Sequence, residues 1–142
     1  MLTKKNYRLF NMAKNMAEMS TFYKAQIGCI LAYGNKIISS GFNCEKTHPL
    51  QNIYNAERFE GGEAKLHAET HAIIPLLKKE VDWKNVSLYV CRYGKKTNDG
   101  KSNIEMSMAR PCKSCMKMIK DLGIRNIYYT TDDGYSYERI ED

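Results

Sequence analysis

No apolar run in this 142-residue chain approaches the roughly 18–20 residues that cross a bilayer, so no membrane span is expected. Nor does it open like a secreted protein. Met1-Leu2-Thr3-Lys4-Lys5 leads into polar sequence instead of the apolar core of a signal peptide, which predicts a cytoplasmic protein. Repeats, low-complexity tracts and linkers are absent, and the length fits one domain, 1–142. The 5 cysteines are an odd number, which argues against a disulfide scaffold and for reduced thiols. Acidic residues are the minority, 16 against 22 basic, and the resulting +6 suits an anionic partner such as a nucleotide or nucleic acid. At 27% charged and 43% hydrophobic, the chain has the composition of a folded globular domain and not of a disordered tract.

The hydrophobic pattern predicts alternating elements. Leu9, Met12, Ala13, Met16 and Ala17 recur at helical spacing, giving a first helix over 4–19. Strands follow over 25–33 and 36–42, joined as a hairpin by Gly34-Asn35. Residues 43–65 read as a long polar loop with Pro49 and Gly61-Gly62, a length that favours a functional surface. A second helix is expected from Leu66 toward Lys79, kinked or ended by Pro75. A strand over 86–92 precedes a second polar loop, 93–108. Pro111 suits the first position of a third helix, which Leu122-Gly123 ends. Strands over 125–130 and 135–140 complete the chain. The short Thr131–Gly134 turn between them cannot hold a parallel crossover, which needs a dozen or more residues, so these last two strands are expected to be antiparallel. Cys29, Cys44 and Cys91 lie in or beside apolar runs and read as core fillers.

The chemistry-bearing residues are His67-Ala68-Glu69 and Pro111-Cys112-Lys113-Ser114-Cys115. Zinc favours four ligands from thiolate and imidazole, and a catalytic zinc keeps one position open for water. Cys112 and Cys115 lie one helical turn apart on one side. His67 adds a nitrogen, making three protein ligands. Glu69 stands about 200° round an ideal helix from His67, so both reach one centre only at a helix N-terminus. There the positive dipole end also stabilises thiolates. A carboxylate beside the metal, but not on it, can move a proton from water to a leaving group. Two other readings use His71, at i,i+4 from His67: a structural zinc with His71 as fourth ligand, or a peptidase of the H-E-x-x-H kind, for which Glu69 stands one position too late.

H-A-E followed by P-C-K-S-C, within a β-β-α-β-α order, resembles the zinc-dependent cytidine/deoxycytidylate deaminase superfamily over roughly 26–129. The resemblance implies an α/β fold, a three-layer α/β/α arrangement with a central five-stranded mixed sheet whose fifth strand is antiparallel to the fourth. It implies that His67, Cys112 and Cys115 bind Zn2+, that Glu69 is the proton shuttle, and that the Ala68 N–H holds the base carbonyl. Gly41-Phe42-Asn43 is similar to a G-x-N segment whose Asn contacts the sugar, which points to Asn43. The implied activity is hydrolytic deamination of a cytosine nucleotide or nucleoside, dCMP to dUMP first among them. One alternative is deamination of a cytosine or adenine base within RNA or DNA; another is a non-catalytic zinc-binding interaction module. The ligand set is similar to that of deoxycytidylate relatives, and the short C-terminal hairpin to free-cytidine deaminases. A homo-oligomer is expected.

Outside the motif, Arg110 is a candidate phosphate partner, since a guanidinium grips phosphate bidentately. Arg58, Lys95, Lys96 and Lys101 fall on the two polar loops, where they are placed to frame an anionic substrate. His48 reads as solvent-exposed. Tyr128, Tyr129, Tyr135 and Tyr137 alternate along strands and read as core and inter-subunit packing.

Overall fold

The structure, a computed structural model, describes residues 2–22, 25–46, 48–56, 65–96 and 103–141. Helix α1 (Lys4–Ala17) is started by a reciprocal cap: the Thr3 hydroxyl accepts from the Asn6 N–H, and the Asn6 side chain accepts from the Thr3 N–H. Its buried stripe is Asn6, Leu9, Phe10, Ala13 and Ala17. Phe10 replaces Met12 in the expected stripe, and Met12 is exposed. Asn6 is buried because its amide donates to the Tyr89 hydroxyl at 2.7 Å.

Strands β1 (Gln26–Tyr33) and β2 (Lys36–Phe42) form the expected hairpin, with Gly34 at positive φ in the turn. Strand β3 (Val86–Lys96) pairs antiparallel with β1; β4 (Asn103–Ser107) pairs antiparallel with the far half of β3. Strand β5 (Asn126–Thr130) runs parallel to the near half of β3, and β6 (Tyr135–Arg139) is antiparallel to β5, as the short turn requires. The order is β2-β1-β3-β5-β6, with β4 beside β3 in line with the end of β5.

Among the described residues, three helices cover the face opposite α1: α2 (Pro49–Ala56), α3 (Ala68–Ile73) and α4 (Lys113–Leu122). The sheet separates two apolar cores. Leu9, Phe10 and Ala13 pack on Ile30, Tyr89 and Cys91; Ala72, Ile73, Met118 and Ile119 pack on Leu31, Leu88, Val90 and Ile127. This is the three-layer α/β/α arrangement expected, with corrections. Among the described residues the sheet has six strands, because the stretch read as a loop over 93–108 continues β3 to Lys96 and returns as β4. The loop read over 43–65 contains α2, and Arg58, Lys101 and Gly61-Gly62 lie outside the described residues. The second helix is shorter than expected: α3 ends at Ile73 and tightens into a 3-10 turn, Ile74–Leu76, around Pro75, which has no N–H to continue the α repeat. Helix α4 starts at Lys113, so Pro111 precedes the capping residue instead of occupying the first turn. Gly123, at φ 98, closes α4 in the left-handed conformation.

One close approach ties the sheet to the motif helix. A methyl group at Gly41, on β2, would fall within 3 Å of backbone atoms of Ala68 and Ala72, on α3. Overpacking of this kind typically costs about 1–3 kcal/mol. Gly41→Ala is therefore expected to lower the melting temperature and to reduce zinc retention together, because α3 has to move. Thermal melting and metal analysis of the same preparation check this.

Candidate metal centre

His67 and Cys112 occupy equivalent places, each the residue that caps its helix. His67 precedes α3 with φ −78 and ψ 157; Cys112 precedes α4 with φ −67 and ψ 170. Neither uses its side chain as a helix cap. Extended backbone at these two positions turns both side chains across the helix ends, and Cys115 joins them from the first turn of α4. This is how His67 and Glu69, nearly opposite on an ideal helix, come to serve one centre.

The Nδ1 atom of His67 lies 3.5 Å from Cys112 Sγ and 3.2 Å from Cys115 Sγ. All three ligand atoms are within 4.8 Å of one another. Zinc–sulfur bonds of about 2.3 Å and zinc–nitrogen bonds of about 2.0 Å, at tetrahedral angles, place sulfur and nitrogen ligands roughly 3.5 Å apart. The donor set and its spacing therefore fit zinc with three protein ligands. Among the described residues no fourth side chain joins this group. His71 does not: its Nδ1 lies 3.0–3.1 Å from the backbone of Phe42, and its ring meets the Phe42 ring edge-on. The structural zinc with His71 as fourth ligand is thereby set aside.

The thiols answer each other electrostatically. Cys112 is pushed down to about 3, chiefly by its hydrogen bond with Cys115 and further by His67 and Ser114. Cys115 is pushed up by the same hydrogen bond and by burial. A cation held between them favours both as thiolates. Glu69 is 4% exposed, and burial pushes its carboxyl up, opposed by the His67 charge. It faces the three ligands without being one of them.

His67, Cys112 and Glu69 line a cavity of about 740 Å³, within the range of small-molecule sites. Phe22, Ile27, Leu66 and Met108 give it apolar walls. Asn43 lines it as well, with its amide already engaged: Oδ1 accepts from the Ile27 N–H at 3.0 Å, and Nδ2 donates to the Ala25 carbonyl at 2.8 Å. One N–H and one lone pair are left for a ligand. Ala68 is buried as the first residue of α3, so its N–H is among those no intrahelical carbonyl reaches. Arg110 is at the cavity, but its Nε and Nη2 bind Glu138 at 3.0 and 2.9 Å.

Two contributors were not expected. Gln51, 1% exposed on α2, accepts the His67 N–H at 3.1 Å and fixes the approach to α3. Arg92 lines the cavity from β3. Its signal was present: side chains alternate along a strand, and Leu88 and Val90 face the α3–α4 core, which puts Arg92 next on that face. His48, read as exposed, is half-buried, and its ring accepts the Leu50 N–H at the start of α2. Tyr128 stacks on Tyr89 and Tyr129 is buried, while Tyr135 and Tyr137 remain partly exposed.

Comparison with known proteins agrees with this geometry. The family model for the cytidine and deoxycytidylate deaminase zinc-binding region matches residues 3–131. No curated protein matches the sequence. Cytidine deaminase from Burkholderia pseudomallei is similar in fold, with TM-score 0.61 and 16% identity over 97% of this chain and 93% of that one. The dCMP deaminase of cyanophage S-TIM5 is similar too, with TM-score 0.58 and 18% identity over 91% of this chain and 84% of that one. In a second structure of the cyanophage enzyme, in complex with dCMP and dUMP, the TM-score is 0.59. With the family model covering most of its length and the ligand set in place, this chain belongs to the zinc-binding cytidine and deoxycytidylate deaminase family, and it is a zinc-dependent hydrolase of C–N bonds.

Proposed function

We propose that the protein deaminates a cytosine nucleotide, dCMP to dUMP, with release of ammonia. The observation that carries this reading is Glu69, buried at the base of a nucleotide-sized cavity beside a three-ligand metal group. The cyanophage relative is a dCMP deaminase whose structure holds dCMP and dUMP.

In the reaction, water adds at C4 of the ring and the amino group departs as ammonia, so that cytosine plus water gives uracil plus ammonia. Bound zinc supplies a Lewis acid that makes water nucleophilic near neutral pH. Glu69 takes one proton from that water and passes it to the ring nitrogen; it then takes the second proton, from the hydroxyl now on C4, and gives it to the amine, so that the C4–N bond breaks as the keto group forms. The Ala68 N–H, without an intrahelical partner as the first of α3, holds the base carbonyl. Asn43 offers its remaining donor and acceptor to the sugar. The apolar walls, Phe22, Ile27, Leu66 and Met108, shield the ring from bulk water.

The test is ammonia release by zinc-loaded protein with dCMP, CMP, deoxycytidine, cytidine, dCTP and short single strands. The monophosphate dCMP is expected to give the highest kcat/KM. Turnover of oligonucleotides alone would move the activity to bases within nucleic acid. Binding of zinc with no turnover of any substrate would leave an interaction module.

A further inference from the structure

We infer that Arg92, and not Arg110, is the residue that selects a phosphorylated substrate; the inference rests on the nucleotide reading given above. Four charged residues among those described matter at the cavity: Lys65, Glu69, Arg92 and Arg110. Glu69 belongs to the metal centre. The charge of Arg110 is spent on Glu138 through two parallel hydrogen bonds, the same fork a phosphate would use. Arg92 has no ion pair with any carboxylate of the described residues.

Arg92 is also the better-anchored cation. It follows Val90 on the face of β3 that looks toward α3 and α4, and it lines the same cavity as His67, Glu69 and Cys112. Its backbone N–H donates to the Thr130 hydroxyl at 3.0 Å, and that hydroxyl donates to the Ser107 carbonyl at 2.7 Å. Thr130, fully buried, is the last residue of β5 and Ser107 the last of β4, so this hydroxyl links the ends of both strands to β3 at Arg92. Lys65 has no such anchor, and an ammonium is a point charge where a guanidinium is a planar fork that fits two phosphate oxygens.

The sheet register gives the cation its place along the substrate. Ile27 and Arg92 are cross-strand partners, and Ile27 exchanges hydrogen bonds with Asn43 on its other side. Asn43, Ile27 and Arg92 thus form one row along the cavity, with neighbouring strands roughly 5 Å apart. A nucleotide whose sugar meets Asn43 has its phosphate within reach of a long side chain at the other end of that row.

The experiment compares kcat/KM for dCMP and deoxycytidine in the wild type, Arg92→Ala, Arg92→Gln and Arg110→Ala. The dCMP preference is expected to fall about 10- to 100-fold in both Arg92 variants, the range for losing hydrogen bonds to a charged group. It should fall less in Arg110→Ala. Calorimetric Kd values for the same two ligands, taken on a Glu69→Gln background, repeat the comparison without turnover. Zinc content and melting temperature show that each variant is folded, and Arg92→Gln, which keeps a long polar side chain, serves if Arg92→Ala does not fold. A wild-type preference that survives both Arg92 changes, or that collapses in Arg110→Ala alone, overturns the assignment to Arg92. A wild type that treats dCMP and deoxycytidine alike overturns the nucleotide reading itself.

Discussion

Replacing Glu69 by glutamine is expected to reduce turnover by about 10²- to 10⁴-fold, the range for removing a positioned general acid–base, while zinc content stays at the wild-type level. The two halves of this result come from different parts of the geometry. Glutamine keeps the size of the side chain, and the buried site, 4% exposed in the native residue, accepts it without a cavity. The metal is held by His67, Cys112 and Cys115, a group that does not include Glu69. What disappears is the one carboxylate that lines the cavity among the described residues, the group that would accept a proton from water and return it to the leaving amine; an amide does neither. Steady-state ammonia release and metal analysis on one preparation check both halves. Loss of zinc together with activity would make Glu69 a support for the metal site. Activity near wild type would place the proton-carrying group elsewhere.

The sequence disclosed the centre more completely than it disclosed the frame. His67, Glu69, Cys112 and Cys115 are readable because the chemistry restricts residue type and spacing, and because helix starts have local signals: Pro111 just ahead of α4 and Gly123 at its end. The antiparallel end of the sheet follows from the length of one turn. Helix α2 was concealed by its polar neighbourhood, though it carried a start signal in Pro49 and a pair four residues apart, Leu50 and Tyr54, which pack toward the α3–α4 core. Because α2 was read as loop, Gln51 and its hold on His67 were out of reach. Strand β4 is only five residues, Asn103–Ser107, and although Ile104 and Met106 alternate with polar residues, so short a run does not stand out within a polar stretch; it pairs because β3 runs on past β5 and offers an unpaired edge. Whether a short run pairs depends on the edge beside it, which the pattern of the run alone does not report. The fate of Arg110 illustrates the same limit. Its position beside the motif made it the natural phosphate partner, yet its charge is taken by Glu138, 28 residues away in sequence.

Removing either thiolate should be as damaging as removing Glu69, but with a different signature. Cys112→Ala and Cys115→Ala are each expected to lose bound zinc and to lower turnover by more than about 100-fold, since changes merely behind metal ligands already cost about 10- to 100-fold. Three ligands leave no redundancy, and no other described side chain belongs to the group that could take over. The two variants should nevertheless differ in stability. Cys115 is 1% exposed and packed in the α3–α4 core, so its loss also leaves a small void. Cys112 is half-buried at the helix cap beside the cavity, and its loss disturbs less packing. Cys115→Ala should therefore melt at a lower temperature than Cys112→Ala, with both compared as metal-free proteins. Chelation of the wild type should reproduce the loss of activity, and added zinc should restore it. In the wild type, zinc should also shield Cys112 from alkylation, because a coordinated sulfur has its lone pair on the metal; mass spectrometry of alkylated peptides with and without zinc reads this directly. Full zinc occupancy in either single variant would mean that the metal is held by groups other than His67, Cys112 and Cys115, and the proton path through Glu69 would then lose its anchor.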